Sequence, residues 1–309
     1  MSVAVALAAD ALWGEPPARV HPVALLGRTA HSWFRGLEGR GRRAQLLGGA
    51  ARTSLLVVGA GVTAGLIDRA CRGGRMPAAL VGGAVRWPAF AGRMLWDEAL
   101  AVAEALDRED MALARRHARA LVSRPLDALG PALLASAAVE SVAENLCDSV
   151  VAPWWWHAVG GAGGMWAYRA GNTLDAMVGY HGATEWSGKG AARLDDLLGY
   201  WPARLSALLL ALALPGGGLA ALACAGAGSL RRAGGVLRAA SQEQRRFESP
   251  NAGWPIAVVA HGLGVRLEKP GAYVVNETGR IPGPADIRRA VTACRRAAGV
   301  CYCLALAAG

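Results

Sequence analysis

Three long stretches of this chain carry almost no charge, and they restrict its folds more than any other feature. Leu205 to Leu230 contains no charged side chain. About 20 apolar residues suffice for a helix to cross the hydrocarbon core of a bilayer. Pro215-Gly216-Gly217-Gly218 interrupts that stretch. It therefore reads as one broken span or two re-entrant halves, which membranes tolerate only where protein covers the backbone. Ser149 to Tyr168 is also uncharged, with Trp154-Trp155-Trp156 near its start, as in an interfacial aromatic belt. Thr53 to Ile67 is shorter, but Leu46 to Ile67 is long enough if Arg52 snorkels or faces protein. Gly61-x-x-x-Gly65 and Gly160-x-x-x-Gly164 offer small-residue faces for close helix approach. Buried helices of a large soluble α protein would show similar runs; their length favours the bilayer.

Composition agrees. Hydrophobic residues make up 53% of the 309 and charged residues 18%, with a mean hydropathy of +0.27. The formal net charge of +10 is an arginine excess, since Lys189 and Lys269 are the only lysines. Ala, Gly and Arg dominate throughout, and no aromatic-plus-basic ladder or zinc-finger spacing accompanies them, so no nucleic-acid partner is expected. The six cysteines include no CxxC. Cys301 and Cys303, in an apolar tail, read as buried neutral thiols, consistent with a reducing, cytoplasm-facing context. Met1 to Trp13 lacks a basic n-region and carries Asp10, unlike a cleaved signal peptide. Arg40, Arg42 and Arg43 precede the first span and Arg69, Arg72 and Arg75 follow it, so the positive-inside rule does not choose an orientation.

The expected class is mostly α: a polytopic integral membrane protein with amphipathic and soluble helical segments between its spans. Residues 1–309 form one membrane-embedded domain, with spans over 46–67, 149–168 and 205–230. A polar helical segment covers 96–148 and a loop-bearing C-terminal region 242–309. Trp96 to Leu121 is amphipathic at helical spacing and ends at Ser123-Arg124-Pro125. Gln242 to Pro255 is turn-rich, Gly279 to Pro284 reads as a loop, and only Ala272 to Val275 alternates like a strand.

Chemistry-bearing residues cluster beside the uncharged runs. Glu140, Glu144 and Asp148 recur every four residues, which stacks them on one helix face. Like charges at that spacing destabilise a helix, so a counter-charge is expected: a metal ion, an arginine or a cationic substrate group. Magnesium is the simplest choice, because hard oxygens suit it. A solvated face explains one such pair, less easily three acids ahead of an uncharged span. In Tyr168-Arg169-Ala170-Gly171-Asn172-Thr173-Leu174-Asp175, Asn172 and Asp175 share a face suited to metal or ribose; an Asx turn explains Asn172 alone equally well. Arg193 precedes Asp195-Asp196, and at most one of those adjacent acids should face a site; an Arg193–Asp196 ion pair is the plain alternative. Arg204 follows Trp201-Pro202, and Ser249-Pro250-Asn251-Ala252-Gly253-Trp254-Pro255 forms a rigid loop. Gly182 to Lys189 approaches a P-loop but is one residue too long and lacks the final Ser or Thr.

These strings resemble the CobD/CbiB family of cobalamin biosynthesis, the adenosylcobinamide-phosphate synthases. The resemblance rests on Glu140-Ser-Val-Ala-Glu144-Asn145-x-x-Asp148-x-Val-Val-Ala-Pro153 and Tyr168-x-x-x-Asn172-Thr-Leu-Asp175-x-Met-Val-Gly-Tyr180. Ala192-Arg193-Leu-Asp195-Asp196-Leu, Pro202-Ala-Arg204-Leu and the loop from Ser249 to Pro255 continue it, after an opening of Asp10-x-x-x-Gly14-Glu-Pro16 and His21-Pro22-Val. Ile256 replaces an expected carboxylate, His181 to Gly190 is atypical, and the match weakens beyond Lys269.

The resemblance implies an ATP-dependent amide ligase in the inner membrane, multi-pass, with its site facing the cytoplasm. Its substrates are adenosylcobyric acid and (R)-1-amino-2-propanol phosphate or a related amino alcohol; its product is adenosylcobinamide phosphate. An acyl phosphate intermediate needs ATP, magnesium, phosphate-binding cations and a base. On this reading Glu140, Glu144, Asp148 and Asp175 hold magnesium. Glu140, Glu144, Asn145 and Asp195 act in catalysis, and Arg169, Asn172, Arg193, Arg204 and Asn251 bind ATP and substrates. Partners are these small molecules and membrane lipid, and the chain is open to homo-oligomerisation and to association with other cobalamin-pathway enzymes. The rival readings are a membrane transporter, to which intramembrane acids and a broken span also belong, and a non-catalytic scaffold for corrinoid enzymes.

Overall fold

The computed structural model describes residues 2–71, 78–179, 184–215 and 227–307. Its helices are α1 (Ser2–Trp13), α2 (Pro22–Arg35), α3 (Arg42–Cys71), α4 (Ala78–Arg86), α5 (Gly92–Asp107), α6 (Met111–Leu121) and α7 (Pro131–Leu146). After a π-turn over Cys147–Val151 come α8 (Ala152–Val178), α9 (Glu185–Ala213), α10 (Ala227–Glu243) and α11 (Gly253–Leu263). Strands β1 (Leu267–Lys269) and β2 (Tyr273–Val275) precede α12 (Pro284–Ala307). The strands pair antiparallel, Leu267 opposite Val275 and Lys269 opposite Tyr273, so the alternation over 272–275 does mark a strand. Two compact units divide the chain: Met1–Ala91 with Asp148–Gly199 and Tyr302–Gly309, and Gly92–Cys147 with Tyr200–Cys301.

In the first unit α3 packs most extensively on α8. Small residues permit the approach: a Cβ on Gly61 would lie 3.0 Å from the Gly163 carbonyl and 3.2 Å from Ala167 Cβ. The partner is thus Gly163, not the expected Gly160/Gly164 face. Gly160 (φ −132°) and Gly161 (φ +61°) instead leave helical geometry and kink α8. Only glycine adopts the latter conformation without strain. The stretch 149–168 is therefore no single straight helix but the end of the π-turn followed by a broken one. The first turns of α9 join α3 as closely, since a Cβ on Gly49 would fall 2.0 Å from the Ser187 carbonyl. Phe34, Val57, Leu174 and Val178 fill the core among these helices.

Among the described residues α3 alone is long and apolar enough to cross a membrane, and only 17% of its apolar window is buried. A core helix of a soluble protein would be mostly covered; here Leu47, Leu55, Val58, Val62 and Leu66 face outward. Arg52 turns toward protein, donating to the Gly48 carbonyl (3.2 Å) and lying 5.5 Å from the Trp33 ring centre. Of the third uncharged stretch, Leu205 to Ala213 is helical in α9, while 216–226 lies outside the described residues. The near-P-loop likewise begins in 180–183, outside them.

In the second unit the amphipathic run from Trp96 to Leu121 is two helices rather than one. Glu109 takes φ +57°, and Asp110 Oδ1 accepts from the Leu113 amide at 2.9 Å, capping α6 anew. Helix α7 is enclosed by α5, α6, α11 and β1. The C-terminal region is less loop-like than expected, because Pro284 opens a long helix. On that helix Cys301 is buried but Cys303 is exposed, two positions on and hence on the opposite side.

Candidate functional site

The acidic motifs come together in the first unit around one amide. The π-turn supplies Asp148, the second half of α8 supplies Arg169, Asn172 and Asp175, and α9 supplies Asp195 and Asp196. Asn172 Nδ2 donates to Asp148 Oδ2 (3.2 Å) and to Asp195 Oδ1 (3.3 Å). Its Oδ1 accepts from Arg169 Nη1 (3.2 Å), which fixes the amide orientation chemically: nitrogen to the acids, oxygen to the guanidinium. Arg169 Nη1 also donates to the Asp148 carbonyl (3.3 Å), as does Tyr168 Oη at 3.5 Å. A π-turn loosens the regular backbone ladder, and here its carbonyl serves side chains instead.

Repulsion between like charges, added to burial, dominates the electrostatics of Asp175 and Asp195. Burial, then repulsion by Asp148, Asp175 and Asp196, raises Asp195 well above the carboxylate range, against the hydrogen bond from Asn172. Asp175 is pushed up to about 6 by burial, Asp196 and Asp148. Of the two adjacent acids of α9, Asp195 bonds to the Asn172 amide, while Asp196 acts on the cluster through its charge. Glu15 and His21 lie within electrostatic range of Arg169. Burial raises Glu15 and, with Arg169, lowers His21. Among the described residues no three His, Cys, Asp or Glu side chains already form a metal cage. Magnesium does not require one, since it keeps waters and substrate phosphates and takes one or two carboxylates. A set of mutually repelling half-buried acids suits such an ion.

In the second unit a different carboxylate is satisfied internally. Glu140, on α7, is buried and receives Ser136 Oγ at 2.7 Å and Tyr273 Oη at 2.8 Å. Arg124 Nη2 lies 3.7 Å from its Oε2. Ser136 Oγ in turn accepts the Glu268 amide at 2.7 Å, tying α7 to β1. Burial outweighs these partners and raises Glu140, while burial and Glu140 raise Tyr273. Elsewhere in this unit Arg204 stacks 3.4 Å over Tyr200 and 5.3 Å from Trp254, and its Nη1 donates to Asn251 Oδ1 at 3.2 Å.

Residues 3–295 match the family described as CobD/Cbib protein. The chain belongs to the CobD/CbiB family of cobalamin biosynthesis. It is 36% identical over 318 residues to "Cobalamin biosynthesis protein CobD" of Rhodobacter capsulatus, covering 98% of this chain and 96% of the relative. Relatives of the same name from Mycobacterium tuberculosis (37% over 294 residues; 93% and 88% covered) and Klebsiella pneumoniae (38% over 274; 87% and 82%) are similar. No solved structure matches.

The CobD/CbiB strings thus place Asp148, Arg169, Asn172 and Asp195 in one hydrogen-bonded network of the first unit, with Asp175 in electrostatic range of it. Arg193 is exposed on α9. Glu140, Glu144, Asn145, Arg204 and Asn251 belong to the second unit. Glu140 and Glu144 lie on regular α-helix, whereas Asp148 lies in the π-turn that follows Leu146. Asn145 Nδ2 is engaged by its own helix, at the Ser141 carbonyl (3.0 Å) and hydroxyl (3.1 Å). Sequence reasoning assigned no role to Glu15, His21, Arg124 or Tyr273. Only the first two carried a signal, as polar residues flanking prolines in the opening string.

Proposed function

We propose that this protein is an ATP-dependent amide ligase joining adenosylcobyric acid to (R)-1-amino-2-propanol phosphate, or a related amino alcohol, in the inner membrane. The carrying observation is the Asn172 network, in which two carboxylates and a guanidinium are tied to one amide. The family supports the pathway, and the outward apolar face of α3 supports membrane residence; the multi-pass arrangement and the cytoplasm-facing site belong to the proposal itself.

In this reading a corrinoid carboxylate attacks the γ-phosphorus of ATP, ADP leaves, and the amine then displaces phosphate from the acyl carbon. Magnesium, when bound, neutralises phosphate charge. Asp148 and Asp175 would hold it. Arg169 faces the transferred phosphoryl charge, with exposed Arg193 as a second cation. Asn172 keeps Asp148 and Asp195 at fixed positions, so little reorganisation accompanies reaction. Asp195, ionised at this step and made a stronger base by its burial and acidic neighbours, takes the proton released by the attacking amine. Glu140 positions Tyr273 and Arg124, and Arg204 with Asn251 braces the loop before α11.

Purified protein in nanodiscs should sustain ADP release over many turnovers only when adenosylcobyric acid, amino-propanol phosphate and Mg-ATP are all present. Asp148→Asn and Asp195→Asn should each lower that rate about 100-fold. Wild-type rates in both variants, or sustained ADP release that ignores the amine, would refute the assignment.

A further inference from the structure

The outward apolar face of α3 runs into a corner of cations. Leu47, Leu55, Val58, Val62 and Leu66 are exposed and recur on one side of the helix. Arg43 stands one turn before Leu47, itself 75% exposed, and so heads that face. Arg42 lays its guanidinium 3.8 Å over the Trp186 ring centre, and Lys189 Nζ lies 5.9 Å from the same centre. The first turns of α9 bring Trp186 and Lys189 there, since a Cβ on Gly190 would lie 3.1 Å from Ala50 Cα. Two cations thus converge on one indole, which draws both although they repel each other. Glu185, 3.8 Å from Lys189, pairs with this group; Arg40, Arg42 and Arg43, all exposed, form no ion pair among the described residues. Among those residues the other end of α3 has no such corner. Arg86 is neutralised there by buried Asp68 at 2.6 Å, and exposed Arg69 lies over no ring.

The occupant of this corner has to match both its cations and the apolar surface beside them. A nucleotide phosphate would pair with the arginines but leave Leu47 and the face beyond it bare. A phospholipid fits both, with its phosphate at the cations and its chains beside α3, and indole rings favour the depth where the two meet. Three cations against one carboxylate favour a lipid of net negative charge, since a zwitterionic headgroup brings a cation of its own. We propose that Arg42, Arg43 and Lys189 bind the headgroup phosphate of an anionic phospholipid, with Trp186 as their platform. The proposal rests on the membrane residence inferred above and is independent of the ligase chemistry.

Full-length protein is stripped of lipid in detergent, and binding of phosphatidylglycerol and phosphatidylcholine of matched chains is read by native mass spectrometry. Wild type should bind phosphatidylglycerol about tenfold tighter. Arg42→Gln and Arg43→Gln should each weaken that binding about three- to tenfold and leave phosphatidylcholine unchanged. Arg42→Lys keeps the charge but loses the flat stack, so it should retain most of the preference. Arg69→Gln, at the far end of the same helix, should stay within about twofold of wild type. These two controls separate loss of the site from loss of the fold. Equal binding of the two lipids by wild type, no change in Arg42→Gln and Arg43→Gln, or an equal loss in Arg69→Gln overturns the proposal. So does a loss confined to Mg-ATP binding in Arg42→Gln, which would assign the corner to a nucleotide. A change confined to oligomeric mass would overturn it too, in favour of a second copy of the chain. Membrane residence fails separately, if the detergent-free chain stays dispersed in solution and ignores liposomes.

Discussion

Two buried acidic centres in this molecule solve the same problem in opposite ways. Glu140, in the second unit, has its own donors in Ser136 and Tyr273, with a guanidinium close by. In the first unit Asp148 and Asp195 share the Asn172 amide, and Asp175 is close enough to repel both. A carboxylate satisfied from within holds a fold together, whereas carboxylates that repel are held in place by the fold and, on the proposed reading, take a cation. The distinction is invisible in composition, since both centres read as acids in apolar surroundings.

The comparison breaks most visibly at Glu140. Glu140→Ala strands Tyr273, Ser136 and Arg124 together, so ligand-free protein should lose about 3–5 kcal/mol in denaturant unfolding, with or without magnesium. In the first unit the sign should reverse. Asp195→Asn removes a repelling charge, so it should stabilise metal-free protein by about 1–2 kcal/mol while abolishing most ligase activity. A stabilised and fully active Asp195→Asn would erase the proposed division of roles.

A smaller effect follows from Asp175, whose carboxyl is raised from 3.8 to about 6. Between those values the folded state holds more protons than the unfolded state, so stability falls as pH rises. Metal-free protein should thus lose on the order of 1 kcal/mol from pH 4 to 6.5, allowing for the half-exposure of the group. Magnesium should flatten that slope, and Asp175→Asn should remove it, both read from melting temperature against pH. A Cβ on Gly179 would come 2.0 Å from Asp175 Oδ1 and 2.7 Å from the Asp175 carbonyl. Gly179→Ala should turn that carboxylate aside, raising the magnesium requirement about three- to tenfold, while the backbone contact costs about 1–3 kcal/mol of stability. An unchanged magnesium requirement would remove Asp175 from the cation site.

Much of the helical class was legible in the sequence, because periodicity and apolar length are local properties. The break at Glu109–Asp110 was not, since a left-handed residue followed by an Asp cap leaves an amphipathic pattern nearly intact. The kink at Gly160–Gly161 was hidden for the same reason: glycines read equally well as a packing face or a hinge until a neighbour is in place. The two units also gave no linker to find, as each is assembled from separated segments.

By itself the sequence determined that the chain is mostly helical, that α3 presents an apolar face, and which family strings carry the acids. Tertiary structure decided which acids belong together. Asp148 reaches Asn172 across 24 residues and Glu140 reaches Tyr273 across 133. Helical spacing fixes a side chain's direction only within its own turn, and the π-turn after Leu146 shifts even that. Whether a buried carboxylate is a brace or a cation site depends on what packing brings within about 4 Å of it, a non-local quantity that charge patterning cannot express.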